Sequence, residues 1–148
     1  MTDLTVALGA RSYAIHIAAG VLAQAQDLIA PHLRGRQVFV IADETVMALH
    51  GPTLRAGLGT LTQHWLPVPP GESSKSLAQF RALTESVLAL APERGDLIIA
   101  FGGGVIGDLA GYVAASLLRG LDFVQIPTSL LAQVDSSVGG KTGINSCL

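Results

Sequence analysis

The sequence predicts a parallel α/β fold with flanking helices and an N-terminal β-hairpin. Two short runs, QVFVIA at residues 37–42 and DLIIAF at residues 96–101, are apolar almost without interruption, which is typical of strands buried on both faces of a sheet. Segments with helical spacing alternate with these runs. Because parallel strands are joined by right-handed crossovers, the alternation predicts a Rossmann-like sheet that binds ligands beyond the carboxyl ends of its strands.

The first half of the chain supplies the hairpin and the first strand–helix unit. Residues 4–8 and 13–17 flank the turn sequence GARS and are expected to pair as a hairpin. Residues 20–30 have helical character. The buried strand at 37–42 is followed by a second predicted helix over residues 46–58.

The second half continues the alternation of strands and helices. A weak strand is expected at residues 63–66, before a loop rich in proline and glycine. Apolar residues recur at helical spacing over residues 76–90, and another helix is predicted over 104–118, after the second buried strand. Residues 123–126 form the last predicted strand, and Thr128 is expected to cap one more helix.

The composition excludes several classes of protein. The chain has 148 residues, enough for about one domain, and 49% of them are apolar. Its uncharged runs, such as residues 12–26, are too short to span a bilayer, and Asp3 and Arg11 interrupt any secretory signal, so we expect a cytoplasmic protein with no membrane contact. A net charge of −2 with scattered basic residues predicts no nucleic-acid partner. The apolarity instead indicates two-sided burial or a surface for a partner.

A glycine-rich turn, FGGGVIGD at residues 101–108, joins the second buried strand to the next helix. Gly102, Gly104 and Gly107 fit the G-x-G-x-x-G spacing, which lets a diphosphate approach backbone N–H groups at a helix N-terminus. The same glycines could serve close packing of strand against helix. Three consecutive glycines favour the phosphate interpretation, since one or two would suffice for the turn.

A second glycine-containing run near the C-terminus carries polar side chains with catalytic potential, among them Asp135, Lys141 and Asn145. Its GKT sequence resembles the end of a P-loop. The P-loop spacing, however, requires a glycine five positions before Gly140, and Asp135 stands there. A carboxylate at that position would repel a triphosphate, so we expect a loop that positions a smaller polar substrate.

The two lysines are candidate binding residues, whereas the histidines are not candidate metal ligands. Lys75 and Lys141 are the two lysines of the chain, and both lie in glycine-containing loops. Glu72 with Lys75 is also compatible with the charge placement of a helix N-terminus. The four histidines show no metal-ligand spacing and Cys147 has no second cysteine to pair with, so no metal site is predicted.

Six motifs occur along the chain: DET at 43–45, PGE at 70–72 with Lys75, GGGVIGD at 102–108, RG at 119–120, PTSLL at 127–131 and VDSSVGGKT at 134–142. Together they resemble one family, the amino-terminal NAD-binding domain of 3-dehydroquinate synthases. Thr45, where the family often has Asn, and Ser129, where it usually has Thr, depart from the pattern. The resemblance covers essentially all of residues 1–148, and it implies that they are one NAD-binding domain cut from a larger two-domain enzyme.

The resemblance implies a cofactor role for each matching position. Asp43, Glu72 and Lys75 would hold the adenosine side of NAD, residues 103–105 its diphosphate, and Asp108 would lie near the nicotinamide. The full set of implied cofactor residues is Asp43, Thr45, Glu72, Lys75, Gly103, Gly104, Val105, Asp108, Thr128, Ser129, Leu131, Asp135, Ser136 and Lys141.

The resemblance also implies the reaction and its catalytic residues. Asp135, Lys141 and Asn145 would face a phosphorylated sugar acid, and Arg119 would reach the substrate phosphate of a neighbouring subunit, which implies a homodimer. The family is a phosphorus–oxygen lyase of the shikimate pathway that uses NAD catalytically. Its zinc or cobalt ion is held by a carboxy-terminal helical domain that these 148 residues lack.

The sequence is compatible with three alternative functions. The chain could belong to another sugar-phosphate cyclase that makes an inosose or a valiolone, although the DSSVGGK run favours dehydroquinate. It could come from a metal-dependent polyol dehydrogenase, or it could be a nucleotide-binding module without catalysis of its own. On the family reading, the fragment is expected to be inactive alone.

Overall fold

The chain opens with an antiparallel hairpin that forms its own two-stranded sheet. The computed structural model describes residues 1–146. Strand β1 (Thr2–Val6) pairs with β2 (Tyr13–Ile17), with Thr2 opposite Ile17 and Val6 opposite Tyr13. The hairpin prediction is confirmed, but the first strand lies two residues earlier than the predicted 4–8. Leu8 belongs to the turn instead, where its N–H donates to Ser12 Oγ at 2.9 Å.

A four-stranded parallel sheet follows, in the strand order β4-β3-β5-β6. The strands are β3 (Gln37–Asp43), β4 (Thr62–Val68), β5 (Leu97–Gly102) and β6 (Asp122–Pro127). All four strands predicted after the hairpin are therefore present and parallel. The Rossmann-like fold class with an N-terminal hairpin is confirmed.

Four α-helices connect or precede the strands: α1 (Ala25–Ile29), α2 (Glu44–Gly57), α3 (Leu77–Ala89) and α4 (Gly104–Ser116). The helix predicted over residues 20–30 is only partly α-helical, since Val21–Gln24 forms a 3₁₀ turn before α1. The glycine at position 20 has a φ of +71°, a left-handed conformation that starts this turn at little steric cost.

The sheet is buried on both faces, which accounts for the apolar composition. Phe39 and Ile41 of β3 face one core, against Leu109 and Val113 of α4 and residues of α3. Val38, Val40 and Ala42 alternate onto the other face, where α1 and α2 pack. Two-sided burial is the expected arrangement for a parallel sheet between helical layers.

Asp96 anchors the edge of the sheet opposite the strands' carboxyl ends. Its side chain is buried, and its two oxygens accept hydrogen bonds from the N–H groups of Arg36, Gln37 and Glu93 and from Gln37 Nε2, at 2.8–3.2 Å. Burial alone would raise the pKa of Asp96, but these hydrogen bonds outweigh it and lower the pKa below its ordinary value.

The last helical segment begins at residue 130, one residue later than a cap at Thr128 predicts. A π-helix spans Ala132–Ser136, and Ser129 Oγ accepts the Ala132 N–H at 3.2 Å, so Ser129 and not Thr128 is the capping residue. The Thr128 N–H donates instead to the Gly102 carbonyl at 2.9 Å, which continues the pairing of β6 with β5. None of the helices in residues 1–146 is long and apolar enough to cross a membrane.

Candidate functional site

The strand order creates a crevice at the carboxyl end of the sheet. From β3 the chain leaves toward β4 on one side, while β5 pairs with β3 on the other side. Such a reversal of strand order is where open α/β sheets bind ligands, because the connections that follow the two strands diverge. Asp43 ends β3 and Gly102 ends β5, and a Cβ placed on Gly102 would lie 3.3 Å from Asp43 Cβ.

The glycine-rich turn combines packing glycines with open ones. A Cβ on Gly102 would lie 2.6 Å from Ile106 Cγ1, and a Cβ on Gly107 would lie 2.9 Å from Gln125 Oε1, so these two glycines permit close packing. Gly103 and Gly104 differ, since their nearest neighbours would be hydroxyl groups at 3.7 and 3.2 Å. Packing explains the outer glycines of the motif, and the central pair leaves the backbone open to a ligand.

The N-terminus of α4 lies directly behind these open glycines. Gly103 is the N-cap residue and has no side chain to offer, so no side-chain cap satisfies the first-turn N–H groups. The first intrahelical bond runs from the Gly107 N–H to the Gly103 carbonyl at 3.1 Å. An uncapped helix start beside a surface free of side chains is suited to a diphosphate.

Hydroxyl groups from the segment after β6 border the open glycines. Ser129 Oγ is the neighbour of Gly103 and Ser136 Oγ the neighbour of Gly104. Thr128 lies beside them, since its N–H is bonded to Gly102. The implied cofactor residues of this segment thus lie against the implied diphosphate residues.

An ion pair joins the loop after β4 to α4. Lys75 Nζ lies 2.6 Å from Asp108 Oδ2 and 3.9 Å from Glu72 Oε1, and the Lys75 and Asp108 side chains are 19% and 24% exposed. The hydrogen bond to Asp108 raises the pKa of Lys75 against the opposing effect of partial burial, and the charges of Asp108 and Glu72 raise it further. Lys75 is therefore a fixed cation near the start of α4.

The C-terminal part of the described chain closes over this ion pair. Asn145 Nδ2 donates to Glu72 Oε1 at 2.8 Å, and the Asn145 N–H donates to the Lys75 carbonyl at 2.8 Å. The Gly143 N–H donates to the Asp108 carbonyl at 3.2 Å. An open cleft of about 590 Å³ lies here, lined by residues that include Glu72, Lys75 and Asn145.

Asp43 caps helix α2, in addition to its predicted role in cofactor binding. Its Oδ1 accepts the N–H groups of Thr45 at 2.8 Å and Val46 at 3.1 Å and thereby caps α2. A capping carboxylate is held rigidly at the edge of the crevice, and Thr45 contacts it through its backbone.

The exposed residues among the predicted site residues include Leu131, Asp135, Lys141 and Arg119. Lys141 has no ion-pair partner within residues 1–146. Arg119 follows the far end of α4, a helix that spans about 18 Å from Gly104 to Ser116 at 1.5 Å per residue. Leu118 and Arg119 have φ angles of +48° and +70°, an unusual pair of left-handed non-glycine residues.

Two features of the site were missed in the sequence. The contact between Lys75 and Asp108 joins residues whose proximity depends on the strand order. Gln125 lies under Gly107 and its Nε2 donates to the Ser137 carbonyl at 3.4 Å. A glutamine within the otherwise apolar strand FVQIP was a visible signal for the second feature. Cys147 lies outside the described residues.

The family comparison covers more than half of the chain. The 3-dehydroquinate synthase N-terminal family matches residues 65–148, which include the loop after β4, the glycine-rich turn and the C-terminal glycine run. The chain belongs to the 3-dehydroquinate synthase family. The family resemblance seen in the sequence motifs is thereby confirmed.

Curated relatives extend the similarity to the whole chain. The 3-dehydroquinate synthase of Ruegeria pomeroyi is 57% identical over 148 residues, which are 99% of this chain and 40% of the relative. The 3-dehydroquinate synthase of Rhodospirillum rubrum is 57% identical over 97% of this chain and 38% of its own length. The chain thus spans about two fifths of the relatives that it matches.

Solved structures share the fold. A 2-deoxy-scyllo-inosose synthase complexed with carbaglucose-6-phosphate, NAD⁺ and Co²⁺ has a TM-score of 0.89 at 28% identity, over 99% of this chain and 41% of that one. A 2-epi-5-epi-valiolone synthase from Streptomyces hygroscopicus with NAD⁺ and Zn²⁺ has a TM-score of 0.73 at 32% identity, over 83% of this chain and 35% of that one. A glycerol dehydrogenase from Schizosaccharomyces pombe shares only the fold, with a TM-score of 0.57 at 20% identity over 73% of this chain and 25% of that one.

Proposed function

We propose that this chain is the NAD-binding part of a 3-dehydroquinate synthase that acts in the shikimate pathway toward aromatic amino acids. The proposed reaction converts 3-deoxy-D-arabino-heptulosonate 7-phosphate into 3-dehydroquinate and phosphate. The family match and the 57% identity to two curated synthases support this chemistry. Because the chain spans about 40% of such a relative, we propose that the full reaction requires a longer protein.

The open start of α4 is the observation that carries the cofactor assignment. We assign the N–H groups of residues 103–105 to the diphosphate of NAD, since no side chain caps them and no Cβ covers the first two. Asp43, Glu72, Lys75 and Asp108 are assigned to the rest of the dinucleotide, and because Lys75 Nζ lies 2.6 Å from Asp108 Oδ2, these two side chains are assigned to the same part of it. NAD, when bound, supplies a reversible acceptor for hydride from a substrate alcohol.

The remaining cofactor assignments follow the segment after β6. Ser129 and Ser136 offer hydroxyl groups beside the open glycines. Thr128 adjoins them through its N–H bond to Gly102, and Leu131 offers an apolar side chain that is 70% exposed. Thr45 is assigned through its place beside Asp43, whose carboxylate accepts its N–H. These side chains orient the dinucleotide rather than take part in bond changes.

The substrate is assigned to the C-terminal glycine run. Lys141, an exposed cation without an ion-pair partner in residues 1–146, would neutralise a substrate anion. Asp135 would orient a substrate hydroxyl or the nicotinamide by hydrogen bonding. Asn145 would face the same substrate from the edge of the cleft, where its amide is already bonded to Glu72.

A divalent cation and a second subunit belong to the proposed complete enzyme. Residues 1–146 contain no cluster of three or more histidine, cysteine or acidic side chains that could hold a metal ion, so zinc or cobalt is assigned to the rest of the longer protein. We assign Arg119 to the substrate phosphate of a neighbouring subunit in a cytoplasmic homodimer. Its distance from the glycine-rich turn of its own chain supports a role in another site.

Titration calorimetry with NAD tests the cofactor assignment on this chain alone. Gly103→Ala adds one methyl group where the nearest atom is 3.7 Å away, so it should weaken NAD binding at least tenfold without unfolding the protein. Gly102→Ala is the matched control, because its methyl group would lie 2.6 Å from Ile106 Cγ1 and should destabilise the fold. Unchanged NAD affinity in Gly103→Ala would show that the glycine-rich turn serves the packing of strand against helix and does not bind the diphosphate.

Turnover separates the proposed reaction from its relatives. The full-length protein should release phosphate from 3-deoxy-D-arabino-heptulosonate 7-phosphate. Activity with a hexose phosphate or a heptulose phosphate would instead favour an inosose or valiolone synthase, whose solved examples have the same fold at 28% and 32% identity. NAD binding without turnover of any of these substrates would leave a nucleotide-binding module.

A further inference from the structure

The N-terminal hairpin is bonded to the loop that carries Lys141. The Gly139 N–H donates to the Tyr13 hydroxyl oxygen at 3.1 Å, a contact that spans 126 residues of sequence. Tyr13 is the first residue of β2 and is half-buried. No motif in the sequence connects this tyrosine to the site.

The glycines around Lys141 make no packing contacts of their own. A Cβ on Gly139, Gly140 or Gly143 would have no atom of residues 1–146 within 4 Å. Gly139 also has a φ of +102°, which other residues rarely adopt. Thr142 packs against Gly111 of α4 and holds the far side of the loop, whereas the near side, at Gly139, depends on backbone hydrogen bonds.

Two backbone anchors lie at equal distance on each side of Lys141. Two residues before it, the Gly139 N–H is bonded to Tyr13, and two residues after it, the Gly143 N–H donates to the Asp108 carbonyl at 3.2 Å. The second anchor belongs to the ion-pair cluster of the site. The first belongs to the hairpin, which is otherwise a separate two-stranded sheet.

The hairpin does not need this bond for its own stability. Five residue pairs, from Thr2 with Ile17 to Val6 with Tyr13, hold its two strands in register. The tyrosine hydroxyl is thus an addition to a structure that forms without it. It acts on the loop at Gly139, which has no packing contact of its own within residues 1–146.

We propose that Tyr13 is a positioning residue that fixes the Gly139–Lys141 loop and thereby sets the place of the Lys141 ammonium group. This inference rests on the proposed function for the identity of the ligand that Lys141 meets. The tether itself is independent of any ligand. Tyr13 touches neither cofactor nor substrate in this proposal and acts through Gly139.

Amide hydrogen exchange of the Tyr13→Phe variant tests the tether. The substitution removes only the hydroxyl group, and the loss of one hydrogen bond should accelerate exchange at Gly139 about threefold to tenfold. Exchange at Ile98 and Ile99 in the buried strand β5 should stay unchanged, which separates loop opening from global unfolding. Tyr112→Phe is the matched control, since Tyr112 is the other tyrosine of the chain and its ring packs at a tilt against Phe80. Equal exchange at Gly139 in wild type and Tyr13→Phe would overturn the proposal.

Kinetics of the full-length enzyme test the positioning role. Tyr13→Phe should lower kcat about threefold to tenfold, with the urea midpoint unchanged and Tyr112→Phe at the wild-type rate. Faster exchange at Gly139 combined with wild-type kcat and KM would overturn the positioning role. A wild-type enzyme without turnover would refute the proposed reaction, and the exchange measurement on this chain would still decide whether Tyr13 holds the loop.

Discussion

The ion pair between Lys75 and Asp108 should stabilise the fold measurably, unlike most ion pairs on protein surfaces. At the observed 2.6 Å the bare Coulomb attraction is about 1.6 kcal/mol in water and about 6 kcal/mol at an effective dielectric constant of 20. Desolvation and side-chain entropy offset most of it, since both side chains are about four-fifths covered. We expect a coupling free energy of about 1–2 kcal/mol, above the range of about 0.2–1 kcal/mol for exposed pairs.

A double-mutant cycle measures this coupling. Urea unfolding of wild type, Lys75→Met, Asp108→Ala and the double variant gives the pairwise free energy, because changes in helix propensity at position 108 cancel in the cycle. The pKa of Lys75 is raised, so the contribution should be complete below the ordinary lysine pKa and should disappear as pH rises through the folded-state value.

A second ion pair in the chain is the control. Arg81 Nε lies 2.8 Å from Glu85 Oε1, a similar distance, but both side chains are mostly exposed. The same cycle on Arg81 and Glu85 should give a smaller coupling, of the size typical of exposed i,i+4 helix pairs. The reasoning from burial would be refuted if the two pairs coupled equally, or if Lys75 and Asp108 coupled by less than about 0.3 kcal/mol.

The other predictions concern Asp96 and Arg119. Asp96→Asn should destabilise the protein by about 2 kcal/mol or more in urea unfolding, because an amide nitrogen would replace one of two oxygens that each accept two hydrogen bonds. The pKa of Asp96 is lowered in the folded protein, so wild type should lose this stability as pH falls through the folded-state pKa. Above the unfolded-state pKa, the difference in unfolding free energy between wild type and Asp96→Asn should not change with pH. Arg119→Gly should raise stability by about 0.5–1 kcal/mol, since the φ of +70° suits glycine. Leu118→Gly should destabilise, because Leu118 also packs against the core, and equal shifts in melting temperature for both variants would contradict this distinction.

Burial patterns made the sheet predictable from the sequence. The runs at β3 and β5 are apolar on both faces, and the same residues alternate between the two helical layers in the structure. The hairpin was predictable in kind but not in register. Two hydrogen bonds make Leu8 part of the turn: its N–H donates to the Ser12 hydroxyl, and its carbonyl accepts the Arg11 N–H.

The helix after β6 shows the limit of local reasoning. Thr128 and Ser129 are both good capping residues, and their order along the chain does not choose between them. The choice is made by Gly102, whose carbonyl takes the Thr128 N–H and keeps that residue in line with the sheet. The partner lies on another strand, so no pattern within the segment could reveal it.

The binding residues were predictable as a set but not as contacts. Rare lysines in glycine loops drew attention to Lys75, yet its carboxylate partner is Asp108, on a helix that follows a different strand. The glycine motif was ambiguous between packing and binding, and the structure divides it between Gly102 and Gly107 on one side and the central pair on the other.

The strand order also has a consequence for how the protein assembles. The parallel sheet is built from two successive β–α–β units, β3–α2–β4 and β5–α4–β6, and it becomes continuous only where β3 meets β5. Each unit can form from contacts close in sequence, whereas the seam between them closes a longer loop and is entropically harder to make. Asp43 comes from one unit and the open glycines from the other. The crevice therefore exists only once β3 and β5 have paired. A molecule that binds across this seam contacts both units, and it should raise the free energy needed to separate them.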